Sequence, residues 1–132
     1  MSDNLPLSGI KVVLIDDSNT IRRSAEKFLS QEGCQVVLAE DGFDGLSKVV
    51  DTGPDIIFVD VMMPRLDGYQ ICALIKKHPR YRNIPVVMLT SKDTLFDRAR
   101  GKLVGADQYL TKPFNKKNLI ETVTIHTQQK EE

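Results

Sequence analysis

Five short apolar runs alternate with five amphipathic segments along this chain, and that alternation limits it to a narrow set of folds. The runs are Val12-Val13-Leu14-Ile15, Val36-Val37-Leu38-Ala39, Ile56-Ile57-Phe58-Val59, Val86-Val87-Met88-Leu89 and Tyr109-Leu110. Continuous aliphatic or aromatic blocks without polar alternation are how strands buried on both faces read, which favours a parallel sheet. The intervening segments carry apolar residues at helical spacing. They are Ile21, Ala25, Phe28 and Leu29; Phe43, Leu46, Val49 and Val50; Ile71, Cys72, Leu74 and Ile75; Phe96, Ala99 and Leu103; and Leu119, Ile120 and Val123. Asp41, Asp93 or Thr94, and Asn115 are the expected N-caps of the second, fourth and fifth helices, and Asp67-Gly68 opens the third. Gly33, Gly53-Pro54 and Gly105 stand where helices should stop. A strand–helix unit repeated five times implies right-handed crossovers and an open doubly wound sheet with helices on both faces, an α/β (βα)5 flavodoxin-like fold.

Length and charge narrow the function. With 132 residues, one domain is expected over residues 9–127, with a flexible extension at 1–8, a tail at 128–132 and no room for a DNA-binding output domain. Lys plus Arg and Asp plus Glu number 18 each, so the basic excess of a nucleic-acid binder is missing. No apolar stretch approaches the ~20 residues of a membrane span, and Met1-Ser2-Asp3-Asn4-Leu5-Pro6 has no signal-peptide character. The expectation is a cytoplasmic protein that neither binds nucleic acid nor inserts in a membrane. Cys34 and Cys72 match no metal-ligand spacing and are expected as buried thiols without a redox role.

In an open α/β sheet, ligands bind beyond the carboxyl ends of the strands, at the point where strand order reverses. Asp16 and Asp17 follow the first strand, Asp60 the third, Thr90 the fourth and Lys112 the fifth. In the order 2-1-3-4-5 the first and third strands are neighbours, and three carboxylates converge. Such a cluster suits a hard divalent cation, Mg²⁺, with carboxylate and phosphate oxygens around it. The Thr90 hydroxyl can donate to a phosphoryl oxygen, and Lys112 can bring a compact positive charge to the same anion. A carboxylate can itself be the nucleophile that takes a phosphoryl group, and Asp60 is the central one. Taken singly, each residue has a plainer explanation: Asp16, Asp17 or Thr90 as a helix cap, Lys112 as a solvated lysine. It is the joint placement, each group at the end of a strand, that points to phosphoryl chemistry.

Those same residues carry a resemblance. The segments Val-Leu-Ile-Asp16-Asp17-Ser, Phe-Val-Asp60-Val-Met-Met-Pro64-Arg-Leu-Asp67-Gly68, Leu-Thr90-Ser91-Lys92 and Gly105-Ala106-Asp107-Gln-Tyr109-Leu-Thr-Lys112-Pro113-Phe114 resemble the CheY-like receiver domains of bacterial two-component systems, over nearly the whole chain. The resemblance implies Asp60 as phosphoacceptor, Asp17 as direct Mg²⁺ ligand, Asp16 as a ligand through water, and the Met62 carbonyl as the third protein ligand. It implies Thr90 and Lys112 as the pair that contacts the phosphoryl group, Tyr109 as the aromatic switch residue, and a cis Lys112-Pro113 bond. It also implies a sensor histidine kinase of the CheA type as donor, and a downstream protein that reads the face made by the fourth helix, fifth strand and fifth helix. Arg98, Arg100 and Lys102 lie near that face, either as solvated charges or as part of a partner-binding patch. The stretches from Asp67 to Lys76 and from Ser91 to Leu110 are more similar to the pilus-associated receivers of twitching motility than to flagellar chemotaxis receivers.

Two other classes remain to be weighed. A phosphohydrolase of the haloacid dehalogenase type also forms an aspartyl phosphate, but needs an Asp two residues after the nucleophile, where this chain has Met62. A constitutive interaction module that is never phosphorylated would have no use for a complete acidic site.

Overall fold

The computed structural model describes residues 5–91 and 95–128, and all of Phe96 but its side chain. Five strands and five helices alternate: β1 (Lys11–Ile15), α1 (Asn19–Ser30), β2 (Gln35–Ala39), α2 (Gly42–Thr52), β3 (Ile56–Asp60), α3 (Gly68–Lys77), β4 (Val86–Thr90), α4 (Leu95–Val104), β5 (Gln108–Thr111) and α5 (Lys116–Thr127). All strand pairs are parallel, in the order β2-β1-β3-β4-β5. The expected fold class and strand order are therefore those observed. No helix among the described residues is long and apolar enough to cross a membrane.

Strand alternation divides the core in two. Val13, Ile15, Ile57, Val59, Val86 and Met88 point to one face, where Val49 of α2 and Ile71, Cys72 and Ile75 of α3 cover them. Val12, Leu14, Ile56, Phe58, Val87 and Leu89 point to the other, against Ala25 and Leu29 of α1 and Leu119 and Val123 of α5. A side-chain period of two, with helices on both sides, puts both parities of a central strand into the core. β3 and β4 are buried throughout, whereas edge strand β2 is mostly half-buried.

The caps fall largely as expected. Asp41, Asp67 and Asn115 each accept a backbone N–H at the start of α2, α3 and α5, and Asp67 with Gln70 completes a capping box. Lys92, Asp93 and Thr94 lie outside the described residues, so the expected cap of α4 does too. Gly33, Gly53 and Gly105 take positive φ just after α1, α2 and α4.

Helical faces read from spacing alone were too wide. Phe43 and Val50 on α2, Leu74 on α3 and Leu103 on α4 are exposed, at 57%, 60%, 50% and 87%. The packing stripe of α2 is narrower because Gly45 lets the helix backbone approach the sheet, with Ile15 filling the space a side chain there would take, and Gly42 lets its first turn close on Leu66 and on Ile71 of α3. Both cysteines are buried, and burial, the larger cause for each, pushes their thiols up to about 11.

The segment before β1 departs from the expectation of a frayed extension through residue 8. Leu7 is buried at 2% exposure, its N–H donates to the Glu32 carbonyl, and Gly9 bonds the Gly33 carbonyl, so the chain enters β1 already tied to the α1–β2 turn. Leu7, in the short stretch Leu5-Pro6-Leu7-Ser8, fills a core pocket that local composition does not reveal. Leu7→Ala should therefore lower stability by about 2–4 kcal/mol, seen as a shifted urea midpoint with an unchanged slope; an unshifted midpoint would mean the segment is not part of the core.

Candidate functional site

The register of β1 on β3 builds the site. Ile15 pairs with Val59, so Asp16, the next residue, comes beside Asp60 at the end of β3. Asp16, Asp17 and Asp60 each offer a carboxylate oxygen within 4.8 Å of the others. Asp16 is fully buried, Asp60 nearly so, and Asp17 is exposed at the mouth. The N-cap of α1 is Ser18, whose hydroxyl accepts from the Ile21 N–H. Neither Asp16 nor Asp17 is therefore consumed as the cap. Asp16 is oriented instead: its Oδ1 accepts the Ser18 N–H at 2.9 Å, and its carbonyl accepts from Arg22 at 2.7 Å.

Lys112 completes the cluster from the far side. Its Nζ lies 3.1 Å from Asp16 Oδ2 and 3.2 Å from Asp60 Oδ1. The Lys112 N–H donates to the Thr90 carbonyl at 2.7 Å, and the following Lys112-Pro113 bond is cis, as the resemblance implied. Thr90 ends β4, buried, paired in register with Thr111 just before Lys112. Met62, two residues after Asp60, has an exposed side chain and donates its N–H to Asp60 Oδ1 at 3.2 Å. The residues named from the sequence thus meet at one end of the sheet, with Tyr109 set apart.

Electrostatics follow from that packing. Burial first, and the neighbouring Asp16 carboxylate second, raise the Asp60 pKa above its ordinary value; the Met62 N–H and Lys112 offset this only in part. Burial alone would lower the Lys112 ammonium, but Asp16 and Asp60 outweigh it and hold its pKa above the ordinary lysine value. One ammonium facing three carboxylates leaves negative charge uncompensated. The donor set, hard oxygens around a partly open cleft, fits a divalent cation of the Mg²⁺ type.

Two features were not foreseen. Gly68, the first residue of α3, lies so close to β3 that a Cβ there would sit 2.5 Å from the Asp60 carbonyl oxygen, so glycine lets α3 start directly against the acceptor strand. In the sequence Asp67-Gly68 marks only a helix opening; what the glycine approaches is a matter of the fold. Tyr69 was missed altogether. Its hydroxyl is 3.1 Å from that of Tyr109, and Tyr109 also bonds the Asp97 carbonyl of α4. Tyr109 is half-buried with its hydroxyl between α3 and α4. Arg98, Arg100 and Lys102 are all exposed, and Arg100 also lies over the Tyr69 ring at 4.2 Å and 3.9 Å from Asp67.

The sequence profile described as the response regulator receiver domain matches residues 12–124. Protein PilG of Pseudomonas aeruginosa is 60% identical over 118 residues, 89% of this chain and 87% of that protein. Response regulator MprA of a Mycobacterium species is 36% identical over 111 residues, 84% of this chain; the chain spans about half of MprA, 47%. Among solved structures, chemotaxis protein CheY4 of Vibrio cholerae superposes with a TM-score of 0.86 at 33% identity, covering 90% of this chain and 99% of that one.

The raised Asp60 pKa has a measurable consequence. The stability that a protonated Asp60 gives is fully present below the ordinary carboxylate pKa and is lost as pH rises through the elevated folded-state value. At neutral pH in chelator, Asp60→Asn removes that cost and should raise Tm by about 4 °C per kcal/mol recovered. The gain should shrink as pH falls through the Asp60 value; a Tm at or below wild type at pH 7 would show that Lys112 already compensates the cluster.

Proposed function

Because this chain belongs to the family of response regulator receiver domains, we propose that it accepts a phosphoryl group on Asp60 and relays that event to a protein partner. The observation that carries the reading is the convergence of Asp16, Asp17 and Asp60 within 4.8 Å, with Lys112 against two of them. The donor is a phosphohistidine on a sensor histidine kinase. An Asp60 carboxylate oxygen forms the new O–P bond as the P–N bond of the phosphohistidine breaks, and the histidine nitrogen keeps the electron pair. Phosphoryl transfer asks little covalent chemistry of a protein, so positioning and charge neutralisation dominate.

The chain's own groups divide that work. Ser18 and Arg22 hold Asp16, the Met62 N–H orients Asp60, and Lys112 sets a positive charge where phosphoryl oxygens arrive. Asp16, Asp17, Asp60 and the Met62 carbonyl are the groups that would hold Mg²⁺, which when bound neutralises charge on the phosphoryl oxygens. The phosphorylated acceptor draws the Thr90 hydroxyl and Lys112 towards it, and Tyr109 follows, altering the face formed by α4, β5 and α5. A complete reversal of a 1:99 equilibrium takes about 5.5 kcal/mol of preference.

The role is signalling in the cytoplasm rather than turnover of substrates. The 60% identity to PilG supports a place in a pilus or twitching-motility pathway, with a CheA-like kinase upstream.

Incubation with acetyl phosphate and Mg²⁺, followed by intact mass, should add one phosphoryl group to the wild type and none to Asp60→Asn. Equal labelling of the variant, or sustained hydrolysis of generic phosphate esters, would overturn the reading. Mg²⁺ should also raise the melting temperature of the unphosphorylated protein by mass action, and Asp17→Ala should abolish the response. A full response in that variant would remove Asp17 from the ligand set.

A further inference from the structure

We propose that Tyr69 is a positioning residue of the switch: through its hydroxyl it holds the Tyr109 ring, and through Arg100 it ties the loop after Asp60 to α4. The proposal rests on the receiver reading of Asp60 and extends it to a residue 40 positions from Tyr109 in sequence.

The hydrogen-bond directions follow from proton counting. A carbonyl can only accept, so the single Tyr109 hydroxyl proton goes to the Asp97 carbonyl. The Tyr69–Tyr109 pair at 3.1 Å must then take its proton from Tyr69. Burial, and after it this hydrogen bond, raise the Tyr69 phenol above its ordinary pKa, in keeping with a donor that stays protonated. Tyr109 is thus fixed at its hydroxyl by two elements at once, α3 through Tyr69 and α4 through Asp97.

Packing confines the ring as well. A Cβ on Gly101 would lie 2.5 Å from the Tyr109 hydroxyl, so the glycine in α4 exists alongside a ring pressed against that helix. Arg100 covers Tyr69 from the same helix at 4.2 Å, a cation–π distance, and its guanidinium is 3.9 Å from Asp67. Asp67 caps α3, whose next residue, Gly68, meets the Asp60 carbonyl. A continuous chain of contacts therefore runs from the acceptor strand through Asp67, Arg100 and Tyr69 to Tyr109. It lies on the α3 side, distinct from the route through Thr90 along β4. Any shift of α4 must break or re-form the contacts of Arg100 and Tyr69, so these two residues bias the resting position of Tyr109.

The test uses Tyr69→Phe, Tyr109→Phe and the double variant, full length, with 3-fluorotyrosine as a fluorine probe; the chain has 3 tyrosines, so each resonance can be assigned by loss. Asp60 labelling by acetyl phosphate should survive in every variant. The two single substitutions should combine non-multiplicatively in the labelling rate, by more than about twofold, beyond what independent sites show. In Tyr69→Phe, the shift of the Tyr109 resonance on adding beryllofluoride with Mg²⁺ should fall to half or less. Arg100→Gln, an exposed change, should reduce the same shift in the same direction. Multiplicative rates with a wild-type beryllofluoride response would overturn the role of Tyr69 and leave the receiver reading standing. A wild type that is not labelled at Asp60 would overturn both.

Discussion

One ammonium among buried carboxylates sets the terms for the rest of this molecule. Lys112 sits within about a hydrogen bond of both Asp16 and Asp60, yet Asp60 is still pushed towards protonation. Such a pair is not placed for stability. Removing one partner from a buried ion pair costs several kcal/mol, while an apolar replacement of the whole is often neutral or better. The arrangement leaves the site short of positive charge, a deficit that a divalent cation would relieve.

The sheet makes such a site affordable. Both faces of the central strands are covered, so each strand is committed to the core until its last residue, and polar groups begin only where cover ends. Asp16, Asp60, Thr90 and Lys112 stand at those ends, at the crevice an open parallel sheet always leaves where its order reverses. The two cores supply the rigidity, and the charged groups are kept at the rim.

α4 is held differently from its neighbours. Leu95 and Leu103 are exposed at 85% and 87%, and Gly101 is the buried position among its described side chains. Among the described side chains, what fastens it is Val104 against the core on the α3 side together with polar and aromatic contacts: Tyr109 to Asp97, Arg100 on Tyr69, Cys72 to the Val104 carbonyl. Elements with little buried apolar surface are the ones that move at low cost. A helix seated on hydrogen bonds can exchange them for others, where a helix seated on a packed apolar stripe would leave a cavity.

The alternation of apolar runs and helical segments determined the (βα)5 architecture, because burial on both strand faces leaves a recognisable continuous pattern, and strand ends then located Asp16, Asp17, Asp60, Thr90 and Lys112. Caps such as Asp41, Asp67 and Asn115 were legible for the same reason: their chemistry is local, reaching only three residues along the chain. Leu7, the exposed Phe43, Val50 and Leu103, and Tyr69 were not legible. Spacing says which residues share a helix face, but not how much of that face a neighbour covers, since the width of cover depends on how closely the backbones approach. The Tyr69–Tyr109 contact joins residues with no common periodicity, and Arg100 reads as surface charge until α3 and α4 are set side by side. Only the tertiary structure decided these, because each depends on distances between elements that are remote in sequence, where local pattern carries no information.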